Sequence, residues 1–389
     1  MIDRAIEDLM TLLPIEGPPA REGRVAEHLR GALIEIGVPE ADIHVDQAQE
    51  QSEYGGDTGN LIVRMDGNRG GQRLMFSTHM DTVPDAVGCI PRLDRENNRI
   101  VNDAEGRALG GDNRTSCAVL LHLARALVEN GGDHQPITLV FFIQEEVGLV
   151  GARGMDLSML GDSLPEMCFN LDGGRSDVGV TAVIGTERFT IEVTGIASHA
   201  GQPGGGVSAA IIAAQALAEI EQGGWQSVID QPDGKGSANV GIVRGGQGTN
   251  VVMPSMHILA EARSHDPAFR KKIIATWKAA FVRSAESVHN ERGENGTVAF
   301  GPGPTYEAFA LNDDAPVVQR YLSGVKACGM DPKTVSNDGG MDANWIVTHG
   351  IPTVTFGAGQ RDVHTSDEWI ALEDFAAACR LVTQLAEVV

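Results

Sequence analysis

Short apolar runs that end in an acid or a histidine constrain this chain more than any other feature. RLMFST leads into His79 and Asp81 in STHMDTVP, and ITLVFFIQ leads into Glu145 and Glu146 in QEEVGL. MCFNL leads into Asp172 in NLDGG, and IPTVTFG precedes His364 in DVHTSDEW. A fifth segment, GGDNRTS, sets Asp112 just ahead of a helical pattern from about Thr115 to Glu129. ITLVFFI is apolar at nearly every position, as a strand buried on both faces must be. Such runs alternate with helical patterns, which predicts an α/β sheet covered by helices. Open sheets of that kind build their sites at the carboxyl ends of strands.

Near Thr186 the pattern changes. RFTIEVTG alternates like a half-exposed strand, and a helix follows with Val207, Ile211, Ala214 and Leu217 facing inward. Two strands, SANVGIVRGG and MHILAEARS, come next. A second helix opens at Asp266-Pro267, an N-cap residue followed by proline at the first helical position. It carries Phe269, Ile273, Trp277 and Phe281, and the strand TVAFG closes the segment before GPGP. This β-α-β-β-α-β order predicts a ferredoxin-like α+β domain at 186–302, inserted into a discontinuous α/β domain of 1–185 and 303–389. The GP pairs at 301–304 and the turn near Gly185 read as hinges.

Composition narrows the function. The 389 residues hold 30 Lys+Arg against 53 Asp+Glu, a net charge of −23. That argues against nucleic acid or an anionic membrane surface as partner, because both need a basic face. No apolar run reaches the roughly 18 residues of a membrane span. The N-terminal MIDRAIEDLMTLLP reads as an amphipathic helix and not as a signal peptide. The five cysteines are scattered, odd in number and without a CxxC pair, so a cytoplasmic protein without disulfides or a thiolate metal site is expected. No P-loop, GxGxxG or GxSxG is present, so nucleotide binding and serine hydrolysis lack a basis.

Three carboxylates and two imidazoles satisfy two divalent metals if one carboxylate bridges them. Each segment alone has an ordinary reading. HxD triplets are mostly incidental, Asp112 is equally an N-cap, and Glu145-Glu146 suits a surface loop. Their joint placement at strand ends or a helix start is what carries weight. In extended chain His79 and Asp81 share a face, so Asp81 is placed to accept the second ring N–H of His79 and fix its tautomer. The adjacent Glu145 and Glu146 diverge, so one is free to bind metal while the other faces water.

The set THMDTVP, GGDNRTS, EEVGLVGA, NLDGG, GIASHAG and VHTSDEW resembles the co-catalytic zinc peptidases that include peptidase T, carboxypeptidase G and succinyl-diaminopimelate desuccinylase. EEVGLVGA and EARSHD look closest to the peptidase T-like branch. The resemblance covers essentially the whole chain. It implies a mixed-sheet catalytic domain with an inserted lid and dimerisation domain, and a homodimer through that lid. By resemblance, His79 and Asp172 bind one metal, Glu146 and His364 the other, and Asp112 bridges. Asp81 orients His79, and Glu145 is the general base. A cis peptide is implied after Asp112, where Asn113 stands in place of the Asp or Lys of many relatives. In the inserted domain the resemblance implies that His199 stabilises the oxyanion, while Asn250 and Arg263 hold a substrate carboxylate. From the residues alone, a surface ion pair for Arg263 and a turn cap for His199 are the ordinary roles.

The resulting expectation is a zinc-dependent metallopeptidase, with Co2+ or Mn2+ as alternatives, that cleaves short peptides in the manner of a tripeptide aminopeptidase. Asp338 and Asp342 in NDGGMDAN are placed to meet a substrate ammonium, with a buried structural role for Asp342 as the alternative. Within the class the rivals are a metallocarboxypeptidase and an N-acyl-amino-acid deacylase. Outside it the rival is a non-catalytic binding protein on a degenerate hydrolase scaffold, which has no need of Glu145.

Overall fold

The computed structural model describes residues 2–387. The chain divides into two compact units, one of residues 1–182 with 310–389 and one of 183–309.

The larger unit is built on a mixed sheet. Its centre is four parallel strands in the order Ile137–Phe142, Leu74–His79, Met167–Leu171 and Thr353–Phe356. Leu61–Met65 and then Ile43–Val45 add antiparallel on one side, and Val178–Val183 pairs antiparallel with Thr353–Phe356 on the other. Every residue of Ile137–Phe142 and Leu74–His79 is buried, as apolar runs without alternation require. Helices Ile2–Leu12, Gly23–Ile36, Gly111–Glu129 and Leu372–Leu385 supply apolar side chains to the main core. Gly37 ends the second of these helices at φ 109°, a left-handed cap that favours glycine. A small sheet of Gln360–Arg361, Trp369–Ala371, Arg99–Asn102 and Pro91–Asp94 completes the unit.

Within Gly111–Glu129 the helix begins four residues before the expected Thr115, interrupted by non-helical geometry at Asp112 and Asn113. The Asp112–Asn113 peptide bond is cis.

The smaller unit has a five-stranded antiparallel sheet in the order Ser227–Gln231, Gly234–Gly245, Ser255–Ser264, Gly185–Thr194, Thr297–Tyr306. Leaving out the first strand, this is the ferredoxin-like arrangement. Ser227–Gln231 is an added hairpin strand that the sequence pattern did not reveal. Helices Ala209–Gln222 and Pro267–Ser287 pack on each other and on the sheet. Phe269, Ile273, Trp277 and Phe281 are all buried, as expected.

Three expectations need correction. The inward face of Ala209–Gln222 is Ala209, Ile212, Ala213, Ala216 and Ile220, and Ile211 is 49% exposed. The N-cap Ser208, whose hydroxyl accepts the Ile211 N–H, sets that phase. The GPGP segment is not a hinge but lies inside Thr297–Tyr306. Prolines are tolerated there because the strand is at the sheet edge and its register shifts between Pro302 and Thr305. The unit boundaries therefore fall at 182/183 and 309/310 instead of 185/186 and 302/303.

Trp277 is 0% exposed, donates its indole N–H to the Trp225 carbonyl at 2.7 Å and meets Phe189 edge-on. Trp277→Ala should cost about 3–5 kcal/mol. All five expected metal ligands lie in the other unit, so denaturant unfolding should show an earlier transition while the metal content of the folded enzyme stays at the wild-type value.

Candidate metal centre

The four central parallel strands bring their carboxyl ends to one edge of the sheet. His79 is the last residue of its strand, Asp172 follows its strand directly, and Glu145 and Glu146 follow theirs. Asp112 enters from the start of Gly111–Glu129, and His364 from the loop between Gln360–Arg361 and Trp369–Ala371. His364 has φ 63°, an uncommon backbone conformation for a side chain of its size.

These residues form overlapping groups whose ligand atoms lie within 4.8 Å of one another. One group is His79, Asp112 and Asp172, and another is Asp112, Glu146 and His364, so Asp112 belongs to both. A third is His79, Glu145 and Glu146. His79 Nε2 lies 3.3 Å from Asp112 Oδ1, and His364 Nε2 lies 3.3 Å from Asp112 Oδ2 and 2.8 Å from Glu146 Oε1.

Behind these groups Asp81 is 0% exposed. Its Oδ1 accepts the Glu145 N–H at 3.0 Å and its Oδ2 the Glu146 N–H at 3.2 Å. His79 Nδ1 lies 3.3 Å from Asp81 Oδ1 and 3.2 Å from the Asp81 carbonyl oxygen. A proton on Nδ1 satisfies these acceptors and leaves Nε2 as the free lone pair, directed at Asp112.

The electrostatics fit divalent cations. Asp112 Oδ1 and Glu146 Oε1 are buried and face only the His79 and His364 rings, with no hydrogen bond from any other group, a placement that a cation would relieve. Burial lifts Glu145 well above the usual carboxylate range, and burial followed by the Asp112 charge pushes Asp172 up to about 7. The hydrogen bonds of Asp112 and then Glu146 raise the His364 imidazole to about 10. Burial opposes the proton on His79, but Asp112 and Asp81 outweigh it and hold that ring well above its ordinary value. A crowd of acids that drives its own members neutral and protonates its histidines is short of positive charge. Two dications held by these residues would supply it in place of the histidine protons.

Several contributors carried no readable signal. Glu368 accepts the Gly110 N–H at 2.8 Å and the Asp112 N–H at 3.0 Å, fixing the segment that carries Asp112. Asn113 donates to the Leu171 carbonyl at 2.8 Å and accepts from Gln360 Nε2 at 2.8 Å, which ties it to the Asp172 strand. Asp342, one of two acids considered for a substrate ammonium, is 1% exposed and its Oδ1 has no hydrogen-bond partner.

In the smaller unit the structure brings His199 and Asn250 together. His199 bridges to Val251, and the Ala200 N–H donates to the Asn250 carbonyl at 2.9 Å. His199 Nδ1 accepts the Gly201 N–H at 3.0 Å, so it does cap a turn, and its proton resides on Nε2. Arg263 is not with them. It pairs with Glu261 at 2.8 Å and sits eight residues along the strand from Ser255, the end nearest Asn250. At ~3.3 Å per residue that is about 26 Å. Within one chain Asn250 and Arg263 do not form a shared carboxylate clamp.

Residues 75–388 match the model of Peptidase family M20/M25/M40. The chain is 29% identical over 385 residues to YqjE of Bacillus subtilis, covering 99% of this chain and 98% of that one. It superposes on a tripeptidase from Staphylococcus aureus with TM-score 0.87 at 25% identity, covering 100% of this chain and 98% of that one. It superposes on the aminopeptidase PepT of Bacillus cereus with TM-score 0.84 at 29% identity, again covering 100% and 98%. No helix among the described residues is long and apolar enough to cross a membrane. A match that spans both ends of the discontinuous unit, joined to this cation-demanding cluster, makes the chain a member of Peptidase family M20/M25/M40 and a metal-dependent hydrolase.

Proposed function

We propose that this protein is a two-metal peptidase that removes a residue from short peptides, in the manner of a tripeptide aminopeptidase. One observation carries the reading: two ligand groups share Asp112, and Glu145 stands within the same cluster outside both. In this reading His79, Asp112 and Asp172 hold one divalent ion, and Asp112, Glu146 and His364 hold the other. Zn2+ suits this mixture of nitrogen and oxygen donors, and Co2+ or Mn2+ fit it as well. When bound, the ions supply Lewis-acid polarisation of the scissile carbonyl and an acidified water.

The chain's own groups do the rest. Asp81 keeps the proton of His79 on Nδ1. Glu145 accepts a proton from the attacking water and delivers it to the leaving amine. His199, with its proton on Nε2, is suited to donate to the oxyanion of the tetrahedral species. Arg263 offers a planar fork for the substrate's terminal carboxylate. The likeness to a tripeptidase and an aminopeptidase supports this reading over a carboxypeptidase or a deacylase. Glu145 and a full ligand set favour an enzyme over a binding protein on the same scaffold.

The reading includes a homodimer through the smaller unit. An extended tripeptide spans at most ~11 Å, so a substrate held by Arg263 of one chain does not reach His199 of the same chain. The smaller unit also has an open edge. Ser227–Gln231 pairs with Gly234–Gly245 only as far as Ala238. Beyond it Ile242 is 40% and Val243 50% exposed. Such an edge is ready to pair with another strand. Sedimentation should give a dimer at micromolar concentration, and a proline at Val243 should shift it toward monomer. A wild-type monomer would remove this part of the reading.

Glu145→Gln should retain two metal equivalents by elemental analysis and lose on the order of 10²–10⁴ in kcat. Glu146→Gln and His364→Ala should each lower metal content toward one equivalent. If Glu145→Gln loses metal and Glu146→Gln keeps it, the two roles are exchanged.

Substrate termini decide the name. Tripeptides with free ends should be cut fastest, and amidating the C-terminus should cost roughly 2–5 kcal/mol in kcat/KM. Arg263→Ala should narrow that difference. N-acetylated peptides hydrolysed as fast as free ones would favour the deacylase or carboxypeptidase.

A further inference from the structure

The segment Ile15–Glu22 lies outside the family match at 75–388 and supplies none of the ligands. It is nonetheless tied to three of the five ligand segments. Thr82, next to Asp81, donates its N–H to the Gly17 carbonyl at 3.2 Å. Arg114, two residues past Asp112, donates from Nη2 to the Ile15 carbonyl at 3.2 Å and the Gly17 carbonyl at 3.5 Å. Glu22 Oε1 accepts the Gln144 N–H at 3.0 Å. There is no room for a side chain at Gly17, where a Cβ would approach Arg114 Nη2 and Val25 Cγ2 to 2.6 Å.

Gln144 is the pivot of the turn that projects Glu145 and Glu146. Its φ is 52°, a conformation uncommon for a residue with a side chain. Its amide is followed by those of Glu145 and Glu146, which Asp81 accepts. Two carboxylates, each 0% exposed, thus hold three consecutive N–H groups. The Gln144 side chain is held as well, by the Ser52 hydroxyl on Oε1 and by the Gly55 carbonyl, which accepts from Nε2 at 2.8 Å.

The geometry uses one oxygen of Glu22. Oε1 accepts from both Ala20 and Gln144, while Oε2 has no partner. Burial, then the Asp81 charge, pushes the carboxyl up to about 8, so a neutral group suits the position. Reach matters there more than charge.

We propose that Glu22 is a positioning residue of the hydrolytic site, whose Oε1 sets the orientation of the Glu145–Glu146 pair by holding the Gln144 N–H. This rests on the assignment of Glu145 as base and Glu146 as ligand.

Two substitutions separate reach from charge. Glu22→Gln keeps the length and the acceptor and removes the ionisable group. Glu22→Asp keeps the ionisable carboxyl and withdraws the acceptor by about 1.5 Å. The expected result is a kcat within about threefold of wild type for Glu22→Gln. For Glu22→Asp, kcat should fall by roughly 10- to 100-fold with KM little changed, the scale set by small misplacements of reacting groups. Amide hydrogen exchange of residues 143–149 in the metal-free protein gives a second readout, independent of turnover. It should quicken on the order of tenfold in Glu22→Asp alone, while exchange in 167–171 stays constant. Equal losses in both variants, wild-type behaviour in both, or faster exchange throughout the unit would each overturn the proposal. Local quickening at 143–149 with unchanged kcat would overturn the positioning role of Glu22, whereas a fully active Glu145→Gln would refute Glu145 as the base.

Discussion

Asp81 is an acid with no exposure to solvent, a placement that is expensive unless its oxygens find hydrogen-bond partners. Its uses define the site. One oxygen takes the Glu145 amide and faces the His79 ring, and the other takes the Glu146 amide. The strand order makes this economical. Leu74–His79 and Ile137–Phe142 are parallel neighbours with His79 opposite Phe142, so residues just beyond the two ends are already adjacent. A carboxylate two residues past one strand end therefore locks the turn that follows the other.

The same device recurs around the centre. Glu368 clasps the Asp112 segment from the loop region that also carries His364, and Asn113 links that segment to Leu171, the strand end just before Asp172. Each ligand segment is thus tied by hydrogen bonds to elements outside itself. The polypeptide's own rigidity organises the cluster, so that a cation would meet an arrangement that needs little reordering.

The residues that the fold gathers into one cluster were legible in the sequence because strand ends are marked by a change from apolar to acidic residues. The ferredoxin-like order was legible because half-buried strands alternate. The clasping residues were not. Glu368 and Gly110 are 258 residues apart, and Glu22 and Gln144 are 122 apart, with no local pattern joining them. A buried acid inside an otherwise ordinary loop or helix start looks like a surface acid until the fold closes over it. The helix Ala209–Gln222 was misread in phase because alanines fill both its faces and only Ser208 sets the start. The edge position of Thr297–Tyr306, which excuses its prolines, is a property of the sheet and not of the segment.

The larger unit is written in two pieces, before and after the smaller one. On the ribosome, where domains fold in order of emergence, the smaller unit can complete itself while the sheet of the larger one still lacks Thr353–Phe356. His364 and Glu368 follow that strand by only a few residues. The nascent chain thus carries an unfinished cluster of acids for most of its synthesis. His364 is made after every other residue of the cluster, so the cluster stays incomplete until that residue emerges.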